Sequence, residues 1–341
     1  MEDFSFDSLM NNDFEDDYED DLPRYRSGLS PLLTEEPADQ EVSQGAEHDE
    51  HNDGYGELGF DDGSVYRGDL VNGVRCGYGI MDYPNGDCYE GFFDNDMFNS
   101  SGVSCLKGEL RETLCCTDEN GKQVPIPFFD KSGRGRYTFA NGCYIEGYWK
   151  DDILVGEAVS TYDDGAVYRG EWHNHCPNGF GRMTYADGTY DEGSWTDGEL
   201  EGEAVVTYDD GRIYRGEWRN GRPEGSGKLT YPSGESYEGT WKNGSLDGNA
   251  VVRLANRSVY RGEWHNNSAH GRGTYVSDEG IYVGQFVRGK KEGTGRMTYS
   301  NGEVYEGEWK YNQPHGTGVY TKANGTSFHA WFQNGKLLRT L

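Results

Sequence analysis

One hexapeptide is written three times: VYRGEW at 167–172, IYRGEW at 213–218 and VYRGEW at 259–264, each copy 46 residues after the one before. With the glycine of this motif as anchor, the series becomes Gly147, Gly170, Gly193, Gly216, Gly239, Gly262, Gly284 and Gly307. Every step is 23 residues except the 22 between Gly262 and Gly284, and an earlier pair, Gly68 and Gly91, keeps the interval. One further step reaches Ala330, in a fading last copy. Seven of the eight tryptophans stand two residues after an anchor, and Phe286 fills the remaining slot. Self-similarity at a period of this length marks a repeat array.

One copy, GSGKLTYPSGESYEGTWKNG (225–244), reads as a strand, a turn at PSG, a second strand and a second turn at KNG. Glycine in the turn slots admits positive φ, and Asn or Asp there bonds its own backbone. Each 23-mer is therefore expected to be a β-hairpin with a short connection. Hairpins this small need neighbours to be stable. Strand alternation puts Tyr214, Gly216 and Trp218 on one face and Arg215 and Glu217 on the other, with Ala204, Val206 and Tyr208 of the preceding strand facing the aromatic set. The anchor glycine leaves room for an aromatic ring from a neighbouring strand to lie over the backbone.

The 46-residue spacing arises because two kinds of repeat alternate. The residue before the anchor reads Glu146, Arg169, Glu192, Arg215, Glu238, Arg261, then Val283 and Glu306, with Arg67 and Glu90 earlier. Opposite charges in adjacent hairpins can pair, or can fix register by avoiding repulsion, and each exposed pair contributes only ~0–1 kcal/mol. Duplication of a 46-residue unit explains the alternation equally well.

YEGTW (237–241), YEGEW (305–309), YRGEW (168–172, 214–218, 260–264), GSGKLTY (225–231) and GTGRMTY (293–299) together resemble the MORN repeat family (membrane occupation and recognition nexus). The resemblance covers residues 55–336. It departs at Ile145 and Asp191, which replace the tyrosine, at Phe286, and over 99–132, where the period breaks. It implies an all-β fold: an elongated, single-layer, twisted antiparallel sheet of tandem hairpins, often with a groove. Family members are commonly adaptors, alone or joined to catalytic domains such as SET-domain lysine methyltransferases and plant phosphatidylinositol phosphate kinases. The style of GEAVVTYDDGRIYRGEW (202–218) is similar to repeats that precede the methyltransferase domain.

Charge and composition divide the chain. Residues 1–54 hold 18 Asp and Glu against Arg24 and Arg26, with no sustained apolar period, and are expected to form a disordered acidic tail. Its stretch DFEDDYED (13–20) mixes acids with rings and reads as solvated tail or as a short partner-binding motif. N-terminal repeats follow at 55–98, then an irregular insert or degenerate repeat at 99–132 carrying Cys115, Cys116 and PIPFF (125–129), then the C-terminal array at 133–341. The acidic N-terminus is unlike a secretory signal, and no apolar run reaches the ~18 residues of a membrane span. Seven cysteines without paired spacing do not make a disulfide framework. These features suggest a cytoplasmic protein, with cytoskeletal, membrane-associated or nuclear placement as alternatives.

No catalytic constellation stands out, so the expectation is a protein that is not an enzyme and needs no cofactor. The recurring GxG pairs, such as Gly225 and Gly227, open strands rather than a dinucleotide loop, since no helix follows. His173, His175 and Cys176 in HNHC lack a second ligand group, His48 and His51 lie in the tail, and the DDG triplets read as turns rather than calcium loops. No metal site is expected. A net charge of −29 disfavours nucleic acid and weakens binding to anionic lipid, although RGKK (288–291) offers a local basic patch. The function expected is a scaffold that binds a protein partner, a helix or an extended peptide, along the face of Tyr168, Trp172, Trp195, Tyr214, Trp218, Tyr237 and Trp241. The opposing expectation is that these rings fill the sheet's own core. A methyltransferase relative without its catalytic region and a membrane- or phosphoinositide-tethering module are the alternative functions. Oligomeric state is left open.

Overall fold

The computed structural model describes residues 53–99, 115–117, 123–125 and 134–341. The expected acidic tail therefore lies, but for Asp53 and Gly54, outside the described residues. Among the described residues there is no helix, and 24 strands belong to one open antiparallel sheet. The described chain divides into two compact units, one up to Glu199 and one from Leu200 onward.

In the C-terminal unit, Arg222–Thr230 and Ser236–Lys242 form one hairpin, with Gly227 opposite Gly239 and Leu229 opposite Tyr237. Its turn is closed by Gly234 N–H donating to the Tyr231 carbonyl at 3.0 Å. The next connection is only Asn243–Gly244, both at positive φ (49° and 82°), a two-residue type I′ turn that feeds Ser245–Arg253. What the sequence suggested as a linker between hairpins is thus itself a hairpin turn, and the chain is a continuous meander. Along this rim each turn is tied to the one before it: Gly244 N–H donates to the Pro223 carbonyl at 2.9 Å, and Asn267 N–H to that of Leu246 at 3.1 Å.

On its other side the YxGxW strand meets a bulge. Gly216 faces Gly227 and Trp218 faces Pro223, so Glu217 stands alone opposite Glu224, Gly225 and Ser226. The extra residues leave a ladder N–H without a carbonyl partner, and the Glu217 carboxylate accepts it from Ser226 at 2.9 Å. The device repeats at Glu263 with Arg272 (3.1 Å), Gln285 with Thr294 (3.0 Å) and Glu308 with Thr317 (3.0 Å). In the N-terminal unit Asp69 and Glu171 do the same for Tyr78 and Phe180. This is the physical content of the glutamate in GEW, which sequence reading assigned only to the outer face.

Glycine at the anchor does make room for a ring, but the ring comes from the same strand. Tyr214 lies over Gly216, and its hydroxyl donates to the Glu217 carbonyl at 2.9 Å. A Cβ at Gly216, where φ is +152°, would strike the Gly227 Cα and the Ser226 carbonyl, and one at Gly227 would stand 2.5 Å from Cζ of Tyr214. The ring thus covers two glycines on adjacent strands, its own and the next. Tyr208 does not join the aromatic row: it opens the turn, bonded to Arg212 and Gly211.

The 99–132 region interrupts a strand rather than a loop. Met97 and Phe98 pair with Asp94 and Phe93, and pairing along the same strand resumes with Arg136, Tyr137 and Thr138 opposite Glu90, Tyr89 and Cys88. Between them Cys115–Thr117 and Gln123–Pro125 form a separate two-stranded sheet.

Gly216→Val is expected to lower unfolding free energy by about 3 kcal/mol, because backbone must move to admit the side chain. Gly59→Ala, at a strand position with open space around the new methyl, should change it by no more than about 0.5 kcal/mol. Urea denaturation of the two variants checks the contrast.

Candidate functional site

The rings nominated from sequence share an inner face within each unit, Tyr168, Trp172 and Trp195 in one and Tyr214, Trp218, Tyr237 and Trp241 in the other, but none is free. Tyr168 and Tyr214 are fully buried, and Trp172, Trp195, Trp218, Tyr237 and Trp241 are 1–8% exposed. Each flat tyrosine is flanked by tryptophan edges: Tyr214 meets Trp218 at 5.5 Å and Trp241 at 5.6 Å, and Tyr168 meets Trp172 at 5.6 Å and Trp195 at 5.4 Å. The expectation of a presented aromatic surface is corrected by this packing. The rings are the core, closed over by one another, and no contact area remains for a partner to take.

The register sets only glycine or alanine across from the anchors. Gly68 lies between Gly56 and Gly79, and Gly91 also faces Gly79. Gly147 lies between Gly135 and Ala158, Gly170 between Ala158 and Gly181, and Gly193 faces Gly181. Gly239 faces Gly227 and Ala250, and Gly262 faces Ala250 and Gly273. Gly284 lies between Gly273 and Gly295, and Gly307 between Gly295 and Gly318.

Glycine and alanine are not equivalent in this row. Where the hairpin's first strand carries glycine, the indole N–H reaches that residue's carbonyl: Trp149 to Gly135 (3.1 Å), Trp195 to Gly181, Trp241 to Gly227 and Trp309 to Gly295 (each 3.0 Å). Where it carries Ala158, Ala204 or Ala250, the indoles of Trp172, Trp218 and Trp264 are buried with no partner. Replacing Trp241 by Phe is expected to cost about 1 kcal/mol more than replacing Trp218 by Phe, because only the former loses a hydrogen bond. Paired denaturation curves decide it.

Among the described residues, the titratable groups buried in the core stand apart from one another. Asp191 takes a tyrosine's slot and is 1% exposed; Oδ2 accepts from the Tyr185 hydroxyl at 2.7 Å, and Oδ1 has no partner. Burial pushes its pKa up to about 6, partly offset by that hydrogen bond. Lys291 is 6% exposed, with its ammonium 5.3–5.7 Å from the rings of Tyr275, Tyr282 and Trp309, and burial lowers its pKa. HNHC is a hairpin turn, with Asn174 and His175 at positive φ and His173 opposite Cys176. In DDG, Asp164 and Asp210 accept from the N–H of Ala166 and Arg212, the bond of a turn residue. Among the described residues no three His, Cys, Asp or Glu side chains are grouped for a metal. Cys88, Cys143 and Cys176 are free, whereas Cys76 is disulfide-bonded.

Because the folded chain holds the Asp191 proton more tightly than the unfolded chain does, this group's contribution is greatest below about pH 4 and is lost as pH rises to 6. Asp191→Asn should therefore raise Tm at pH 7.5 and change it less at pH 4, as calorimetry at the two values will register.

The opposite face is where the molecule meets solvent. In the C-terminal unit its middle row runs, residue opposite residue, from Val251 through Arg261, Thr274, Val283 and Arg296 to Glu306. The glutamates expected to pair between hairpins pair mainly within them: Lys228 with Glu238 at 3.3 Å and Arg296 with Glu306 at 2.8 Å, as Arg182 does with Glu192 at 3.5 Å, while Glu238 also meets Arg253 of the next hairpin at 3.7 Å. Directly opposed residues lie ~5 Å apart, against ~10 Å for the same position in the next hairpin. The arginines of the hexapeptide, Arg169, Arg215 and Arg261, are left exposed with no ion pair among the described residues. Arg215 even faces Lys228 directly. The adjoining row is β-branched: Val259, Val276, Ile281, Thr298 and Val304 stand opposite one another in turn. On strand Gly280–Val287, Ile281 is 45% and Val283 52% exposed, an apolar strip beside Arg261 and Arg296. Residues 200–341 carry 18 bases and 16 acids, net +2, in a chain whose total is −29.

An antiparallel meander whose tyrosines lie on facing glycines every 23 residues is a tandem β-hairpin repeat protein. The MORN repeat model matches residues 66–88, 130–144, 146–167, 168–190, 192–211, 214–236, 237–259, 260–280, 282–304 and 305–327, and the chain belongs to that family. Alsin of Homo sapiens and of Mus musculus are each 32% identical over 128 residues, which are 36% of this chain and 7% of Alsin. Rattus norvegicus Alsin is 32% identical over 142 residues, 40% of this chain and 8% of the relative. The match thus spans less than a tenth of these curated relatives. Among solved structures, the TCP10 domain of Danio rerio CPAP in complex with a STIL peptide superposes with a TM-score of 0.27 at 12% identity, over 84% of this chain and 98% of that one. The Drosophila melanogaster SAS-4 (dCPAP) TCP domain with a proline-rich motif of Ana2 gives 0.24 at 14% identity, over 61% and 96%. Superpositions this loose assign neither fold nor ligand.

Proposed function

We propose that the protein is a non-catalytic repeat scaffold, and that the outward face of residues 200–341 docks an acidic, apolar-bearing segment of a partner protein. The observation that carries this reading is the exposed strip of Ile281 and Val283 with Arg261 across Thr274 from it, an arginine that has no ion pair among the described residues. Exposed β-branched residues side by side on a sheet present a contact surface, and a neighbouring cation without a counter-charge selects for acid. A protein segment fits better than an anionic membrane. The next row of the same face carries the carboxylates of Glu263 and Glu308, tied to their bulges, and a continuous lipid surface would meet them while a peptide lies between them and the β-branched row.

In pull-downs with the full-length chain, Val283→Glu combined with Arg261→Glu should reduce partner recovery about tenfold, the effect of losing ~1.4 kcal/mol of binding. Both positions are exposed, so Tm should stay within about 3 °C. Equal recovery from wild type and variant, with Tm unchanged, overturns the proposal; capture by anionic vesicles in place of protein would turn it to a lipid surface.

A further inference from the structure

We infer that the first occupant of this face is the chain's own acidic stretch DFEDDYEDD, residues 13–21, which competes there with any partner in trans. The inference rests on the docking reading above and adds the identity of one ligand. Seven of those nine residues are acidic, and the other two are Phe14 and Tyr18. A spacing of four puts both rings on one side whether the stretch is extended or helical. It therefore presents an apolar edge with carboxylates around it, the complement of an apolar strip with guanidinium groups beside it. Along the middle row Arg261 and Arg296 lie on either side of Val283 and are three strands apart, roughly 14 Å. Four extended residues, the interval from Phe14 to Tyr18, span roughly 13 Å.

Charge within the chain favours residues 200–341 as the place for this segment. Residues 55–199 carry 26 acids and 11 bases, net −15, and repel it; residues 200–341 hold 18 of the chain's 31 bases. Residues 22–52 join the stretch to the first strand, and a linker of about 31 residues reaches roughly 100 Å when extended, so the docking is proposed as intramolecular. Docked there, the stretch competes with an acidic ligand in trans, and neutralising its carboxylates frees the face.

The experiment places the photoreactive residue p-benzoylphenylalanine at Phe14 in the full-length chain, irradiates, and maps the adducts by mass spectrometry. The expected result is an intramolecular adduct within residues 259–304, its yield independent of protein concentration and reduced at least fivefold in 0.5 M NaCl or by Arg261→Glu with Val283→Glu. No adduct, adducts confined to 53–199, or adducts found only in covalent dimers overturn the inference. In parallel, Asp16→Asn, Asp17→Asn, Glu19→Gln and Asp20→Asn together should raise partner recovery at least twofold; recovery unchanged or lower counts against self-occupancy. If the adduct fails while recovery still depends on Val283, this inference falls alone. If the adduct forms while recovery ignores Val283, the partner reading falls alone.

Discussion

A tyrosine ring lying flat on two facing glycines is the contact on which the rest of the fold depends. An isolated sheet has to cover its apolar face with something, and ordinarily a second layer does so. Here the cover comes from within. Glycine on adjacent strands lowers the floor of the sheet by the height of a side chain, the tyrosine fills that depth, and its hydroxyl reaches past the glycine to a carbonyl three residues on, as Tyr260 does to Glu263 at 2.9 Å. Tryptophan edges then close the sides. A buried aromatic contributes on the order of 4–6 kcal/mol from 150–250 Å² of area, and each edge-to-face contact adds about 0.5–1.5 kcal/mol. Since every ring touches only its own and the adjoining hairpin, stability accumulates by neighbours, unit on unit.

The same contact gives the 46-residue spacing a structural reading. Successive hairpins differ in whether glycine or alanine faces the anchor, and the difference propagates. With glycine at 227 the Trp241 indole bonds its carbonyl; with Ala204 the Trp218 indole does not. The residue that packs against each tryptophan at the start of the next strand alternates with it, Pro223 against Trp218 and Leu246 against Trp241. The GEW glutamate caps its bulge in the first kind of hairpin, whereas Thr240 fills that slot in the second. Charge register, one of the two reasons the sequence offers, is not carried by the hexapeptide arginines: Arg169, Arg215 and Arg261 have no ion pair among the described residues, and the pairs that do form run both within hairpins, as Lys228 with Glu238, and between them, as Arg253 with Glu238.

The meander was legible because its signals are local. Turn glycines, period-two alternation and a tryptophan every 23 residues each follow from backbone geometry that a single repeat already satisfies. The candidate site was not legible in the same way. Sequence shows that Tyr214 and Trp218 share a face, but whether that face is open or closed depends on how deep each ring sits and what leans on it, which only the packing of neighbouring hairpins decides. Aromatic residues at an exposed sheet face and aromatic residues in a core have the same spacing. The signal for the outward strip was present, in Val283 breaking the Arg/Glu series and in the single 22-residue step beside it, yet it looked like decay of the repeat. The strand interruption at 99–132 was equally hidden, since pairing of Glu90 with Arg136 is invisible without coordinates.

Once the rings belong to the core, the demands on the two faces separate. The inner face must repeat, because each ring needs the glycine beneath it and the indole beside it, and a departure such as Asp191 leaves a buried carboxyl oxygen with no partner. The outer face carries no such constraint beyond the bulge-capping acid, so its residues are free to vary without cost to the fold. Departures there are consequently the more informative ones. Strand Gly280–Val287 keeps the inner pattern intact, with Tyr282 and Phe286 fully packed, while replacing the outer charge by Val283 beside Ile281, which holds the Val or Ile slot of the hexapeptide. A repeat that preserves everything the core needs and alters only what solvent sees is not decaying. Its exposed apolar residues are not used by the core, which is why the docking proposal is placed on them.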